Sequence, residues 1–136
     1  MAVLALLNAK VTINGVDMSS MVTKVELPVV VDDLVTTNFA SLGWDTRIGG
    51  LKKGTVNVTF NQDFAAAQTD ALLWPLLGTV VPFLVKATNA ANSATNPEYQ
   101  FSVLINNLDP IQGKVGDLLT EDITWPVSGV VTRAIV

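Results

Sequence analysis

The sequence predicts a mainly β fold: a two-sheet β-sandwich or barrel with one flanking α-helix, a long inter-strand loop and an N-terminal arm. Three observations point there. Short segments repeatedly alternate apolar and polar residues, the signature of strands with one buried and one polar face. Val and Thr are abundant while Lys and Glu are few, which favours strands over helices. One segment alone has helical spacing, so a single helix covers one open end of the sheets.

The elements follow in order. Val11, Thr12 and Ile13 alternate and run into Asn14-Gly15, a strong hairpin signal. In 21–27, Met21, Thr23, Val25 and Leu27 share one side and Val22, Lys24 and Glu26 the other; Pro28 places this strand at an edge or near its end. Segment 55–60 alternates without a fault, with Val56, Val58 and Phe60 inward and Thr55, Asn57 and Thr59 outward. Asn61 or Asp63 can cap a helix over 64–74, where Phe64, Ala67, Ala71 and Trp74 recur at helical spacing before Pro75. A strand is expected over 80–87, with Pro82 marking a bulge or edge, and then an exposed turn region over 88–97. Tyr99, Phe101, Val103 and Ile105 form a further strand face. Ile123, Trp125 and Val127 form the last, in a strand continuing past Gly129.

At 136 residues the chain fits one domain, 1–136, with no internal repeat. Its hydrophobic fraction is 49% and its charged fraction 15%, below the roughly 25% usual for soluble domains, which suits a surface covered by copies of itself. Without Cys there is neither a disulfide nor a thiolate metal site. No apolar run is long enough to span a membrane, so no membrane insertion is expected. The opening MAVLALLNAK lacks the basic start and core length of a signal peptide, so 1–10 reads as an arm that docks on protein. The net charge of −4 comes from residues 55–136, and no basic stripe exists to neutralise phosphates.

Chemistry finds little support. With no His, the usual acid-base group, imidazole zinc ligands and His-activated nucleophiles are excluded. Asp32-Asp33 and Glu121-Asp122 are adjacent, which on a strand sends the two carboxylates to opposite faces. Asp117, Glu121 and Asp122 lack the spacing of a calcium loop and read as a solvated acidic turn. Residues 49–55 superficially match a phosphate loop but lead into a strand. No catalytic residue, metal site or cofactor is therefore assigned, and an enzyme is the least supported class.

Segment 36–54, TTNFASLGWDTRIGGLKKG, stands apart. It holds Phe39, Leu42, Trp44, Ile48 and Leu51, while Gly43, Gly49, Gly50 and Gly54 argue against a helix or a long strand. Large apolar groups on a loop need a partner surface. Trp74 and Trp125 read as core. Two readings of Trp44 stay open: a loop folded back on its own core, or an anchor in a neighbour's pocket.

The arrangement resembles the tail tube (major tail) proteins of long-tailed bacteriophages, the siphophages, especially those infecting actinobacteria. The resemblance covers nearly all of the chain: VTINGVDMSSMVTKVEL, the Thr-rich loop ending GLKKGTVNVTFNQDF, the helix, NPEYQFSVLI, GKVGDLLTEDITWPVSG and the final VVTR. It implies a tail tube fold that assembles into six-membered rings stacked as a hollow tube. In that family one sheet joins its neighbours into an inner barrel, the long loop, here 30–54, and the arm bridge subunits, and DNA transits the lumen without specific binding. Intersubunit contacts would then come from Phe39, Leu42, Trp44, Ile48 and Leu51, and from Val3, Leu4, Leu6 and Leu7 of the arm. Lys24, Glu26, Thr55, Asn57 and Thr59 are lumen-lining candidates, with Glu26 able to meet Lys24 across a subunit contact. Implied partners are the chain itself and tape measure, tail terminator and distal tail proteins. The implied location is the virion tail, assembled in the bacterial host cytoplasm. Competing readings are another phage β-protein, such as a capsid decoration or tail-terminator ring, and a monomeric β-sandwich ligand-binding module with Phe39 and Trp44 as its platform.

Overall fold

The computed structural model describes residues 3–136, and the first two residues of the arm lie outside it. The hairpin at Asn14-Gly15 forms as its sequence demands: both residues have positive φ, and β1 (Lys10–Ile13) folds back onto β2 (Val16–Asp17). The first sheet has the order β2-β1-β6-β7-β9, with β6 spanning Val80–Lys86, β7 Glu98–Leu104 and β9 Thr132–Ala134. All of its pairings are antiparallel.

The second sheet is built on β5 (Arg47–Asn61), a strand of 15 residues. On one side of β5 run β3 (Val22–Glu26) and then β4 (Val29–Val35), separated by Leu27 and Pro28; on the other runs β8 (Thr120–Pro126). The first half of β5, paired only with β4, projects from the body as a two-stranded ribbon. The second half carries both β3 and β8.

One core lies between the sheets. Val56, Val58 and Phe60 of β5 and Ile123 and Trp125 of β8 face Val11, Ile13, Phe83, Phe101 and Val103 of the first sheet. Phe83 stacks on Phe101 at 5.0 Å between centroids, and Trp125 donates its indole N–H to the Asn107 carbonyl at 2.9 Å. Each of these β5 and β8 residues sits at every second position, so the sequence alternation maps directly onto burial.

Several expectations need correction. Segment 30–54 is not an irregular loop: it contains most of β4 and the first half of β5, and only 36–46 connects them. The glycines permit the strand. A Cβ on Gly49 would come within 3.0 Å of Val31 Cγ1, and one on Gly50 within 3.1 Å of Leu34 Cδ1, so each glycine lets a β4 side chain lie over the β5 backbone where the register shifts. The helix is shorter than 64–74. Ala67 turns to φ 60, the Asp63 carboxylate caps Ala65 N–H, and α1 spans only Thr69–Leu73 before Pro75 forces a 3-10 turn at Trp74–Leu76. Leu73 fills the core position and Trp74, 56% exposed, does not.

In β3 a bulge between Val22 and Lys24 leaves Thr23 outside the pairing and turns Val22 toward Phe60, so Val22 and Thr23 exchange their expected faces. Pro82 lies in an interior strand, not at a bulge or edge. Its carbonyl accepts Asn14 N–H at 2.9 Å, so its missing N–H faces the side where β1 has already turned away. The strand expected to continue past Gly129 ends at Pro126, as β8. Gly129, at φ 96, helps carry the chain across to the first sheet, where β9 pairs with β7.

Candidate assembly surfaces

The tip of the ribbon, 36–46, is closed by its own polar groups. Thr36 N–H donates to the Thr46 carbonyl at 2.8 Å, and the Thr37 hydroxyl donates to Asp45 Oδ1 at 2.6 Å while accepting Thr46 N–H at 3.0 Å. Asn38 caps a 3-10 turn, Phe39–Ser41, by accepting Ala40 N–H, and the Ser41 hydroxyl accepts Asn38 N–H in return. Leu42 then takes a left-handed conformation, φ 53, followed by Gly43 at φ 86.

Ion pairs brace the stem. Arg47 reaches Asp33 at 2.6 Å and Asp45 at 2.7 Å, and Lys53 reaches Asp32 at 3.1 Å. The Thr37 hydroxyl, then Arg47, hold the Asp45 carboxyl below the usual aspartate range.

This ordered turn presents its large apolar groups to solvent. Phe39 is 103% exposed, Leu42 85% and Trp44 79%; Ile48 and Leu51 on the stem are exposed as well. Trp44 is therefore not folded back on its own core. The sequence reading missed Val29, Val30, Val31, Leu34 and Val35, which make β4 apolar and exposed on both faces. The unbroken PVVV run followed by Asp32-Asp33 was the available signal, since such a run reads as a strand buried on both faces. It also missed Ile111, Val115 and Leu118 on the connection between β7 and β8. In the arm, Val3, Leu4, Leu6 and Leu7 are exposed, while Asn8 bridges to Thr88 and donates to the Asn89 side chain.

The outer face of the second sheet gathers the polar candidates into cross-strand rows. Lys24, Thr59 and Asp122 form one row; Glu26, Asn57 and Thr124 form the next; Thr55 lies opposite Pro126. Lys24 and Glu26 pair at 2.8 Å within one chain, which raises the Lys24 pKa. The Thr59 hydroxyl donates to Asp122 and the Thr124 hydroxyl to Asn57. With one cation and two carboxylates, this face carries a small negative balance.

The acidic residues near the end of the chain do not form one solvated turn. Asp117 is exposed and accepts Lys114 N–H, Asp122 lies on the outer sheet face, and Glu121 points inward at 2% exposure. Glu121 accepts Asp109 N–H at 3.0 Å and the Gln62 amide at 3.3 Å, and burial raises its pKa. Among the described residues, no three acidic, His or Cys side chains gather to hold a metal ion.

No family model matches this sequence, and no curated protein matches it. Several solved chains match in three dimensions, and two of them illustrate the likeness. A chain in the virion of a native gene transfer agent particle aligns at TM-score 0.73 and 14% identity, covering 93% of this chain and 95% of that one. A chain in the tail of an empty gene transfer agent particle, refined helically with C6 symmetry, aligns at TM-score 0.62 and 13% identity, covering 84% and 82%. The fold is shared. At such identity the likeness extends to the arrangement of strands and not to side chains.

Proposed function

We propose that this chain is a tail tube subunit, a non-enzymatic structural protein that assembles as stacked hexameric rings into a hollow tube through which DNA passes. The observation that carries this reading is the projecting ribbon. Its apolar faces are exposed in the single chain, and its tip is locked in place before any partner arrives. Burying one such side chain contributes about 1.5–3 kcal/mol, and a preordered tip loses little entropy on docking. The shared fold supports the reading, because one of the matching chains belongs to a tail with C6 symmetry.

In this reading Phe39, Leu42, Trp44, Ile48 and Leu51, with Val3, Leu4, Leu6 and Leu7, form the subunit contacts. Lys24, Glu26, Thr55, Asn57 and Thr59 line the lumen, where hydrated, weakly anionic groups let DNA slide without adhering. Tape measure, tail terminator and distal tail proteins would complete a virion tail assembled in the host cytoplasm.

Negative-stain electron microscopy across a concentration series, beside sedimentation, tests the proposal. Hollow stacked rings of six are expected above a threshold concentration. Rings that never stack would favour a terminator or decoration role, and a monomer at every concentration, even when seeded with preformed tail ends, would overturn self-assembly.

A further inference from the structure

A groove of about 590 Å³ opens where the arm, β3 and the ends of β6, β7 and β9 meet. Its walls are largely apolar and include Leu27, Val29, Tyr99 and Val131, and one cationic side chain faces it, Arg133, on the same face of the sheet as its register partner Tyr99; Lys86 borders the groove, but its side chain leaves from the opposite face of β6. Lys86 is only 8% exposed, and its ammonium donates to Asn92 Oδ1 at 3.0 Å, a neutral partner. Glu98 lies opposite Lys86 in the strand register, yet its carboxylate accepts the Gln100 amide instead. Among the described residues neither Lys86 nor Arg133 has a carboxylate in an ion pair. Arg133 is exposed at the groove and reaches only the Ala94 carbonyl, at 3.5 Å, so it is open to an arriving carboxylate.

We infer that this groove receives the ribbon tip of a second copy, with Trp44 entering between Leu27, Tyr99 and Val131 and the Asp45 carboxylate facing Arg133. The inference rests on the self-assembly reading and names the receiving surface for it. Tip and groove are complementary in kind: the tip presents three large apolar groups beside the Asp33–Arg47–Asp45 cluster, where one cation shared by two carboxylates leaves a net negative charge, while the groove presents apolar walls and one cation, Arg133. The tip cannot fill the groove of its own chain. Val29 lines the groove, and the ribbon runs from the Val29↔Gly54 pair to the Val35↔Arg47 pair, which carries the tip about 20 Å away at the usual strand rise. Tip and groove are unlike surfaces, so the contact is heterologous and propagates into a ring or a filament.

The principal rival surface is the exposed set Ile111, Val115 and Leu118. Its connection runs beside β8, where Asn107 donates to the Thr124 carbonyl and Gln112 accepts Asp122 N–H. That places it at the β8 edge of the second sheet, whereas the groove lies at the β3 edge.

Because the chain has no Cys, single introduced thiols report contacts cleanly. Ala40→Cys marks the tip and Ala87→Cys marks the groove, both at exposed alanines and both leaving the proposed anchors intact; Val115→Cys marks the rival surface. Equal mixtures of A40C with A87C and of A40C with V115C are oxidised, or treated with a short bis-maleimide, and mixed dimers are counted by mass spectrometry. The same mixtures are imaged before cross-linking. The expected result is at least a tenfold excess of the 40–87 dimer over the 40–115 dimer, reduced when Arg133→Glu is added to the A87C copy. Tubes without a 40–87 link, or a dominant 40–115 link, would overturn this assignment and leave the tube reading standing. Monomers throughout would overturn both.

Discussion

At the scale of single residues, Glu121 is the group whose environment departs furthest from what its sequence suggests. Strand alternation in β8 turns it inward beside Ile123 and Trp125, while Asp122 turns outward. Desolvation is the leading cause of its raised pKa, opposed by the Asp109 N–H and reinforced by the charges of Asp109 and Asp70. The folded state then holds this proton more tightly than the unfolded chain does. Stability therefore falls as pH rises from the ordinary glutamate value of 4.5 through the higher folded value, and below 4.5 the group contributes no slope. Glu121→Gln should remove that slope: in urea unfolding at a series of pH values, the variant gains on the parent as pH increases and shows no gain under acid conditions. A difference that stays constant with pH would show that the Glu121 carboxyl is not desolvated. The alternation that buries Glu121 was legible in the sequence. Its neighbours Gln62 and Asp109 were not, because they come from distant segments that only the packed fold brings together.

At the scale of elements, the ribbon shows where sequence reasoning stops. Alternation located β1, the second half of β5, β7 and β8, because each buries one face against the core. The first half of β5 and all of β4 bury neither face in the single chain, so a period-two pattern has no reason to appear there, and glycine was read as a breaker of strands. In fact Gly49 and Gly50 make room for Val31 and Leu34 from across the pair. The capping box at Asn38 explains how so short a connection keeps one shape without core contacts. Asn38→Ala removes the acceptor for Ala40 N–H, a loss of about 1 kcal/mol. The expected outcome is an unchanged melting temperature for the body and an assembly threshold raised about fivefold, because the tip must be ordered on docking. Sedimentation across concentrations reads the second effect and calorimetry the first.

At the scale of the whole molecule, the body and the ribbon divide the work of folding and of assembly. Among the described residues, every buried apolar residue belongs to the body, and none lies between Val29 and Lys53. The ribbon's large apolar groups are therefore on the outside of a chain poor in charge, where a second copy can cover them. Two variants separate these roles. Trp44→Ala removes a side chain that touches little of its own chain, so body stability should change by less than about 0.5 kcal/mol, while a central aromatic anchor lost from a contact costs about 2 kcal/mol, or about 30-fold in assembly threshold. Replacing residues 29–54 by a short turn joins β3 directly to the second half of β5, preserving the Val25↔Val58 and Glu26↔Asn57 pairs. That chain should remain folded, with near-UV circular dichroism like the parent's, and stay monomeric at concentrations where the parent polymerises. If it unfolds, the ribbon stabilises the body as well as joining copies; if it still forms tubes, the body faces carry assembly without the ribbon.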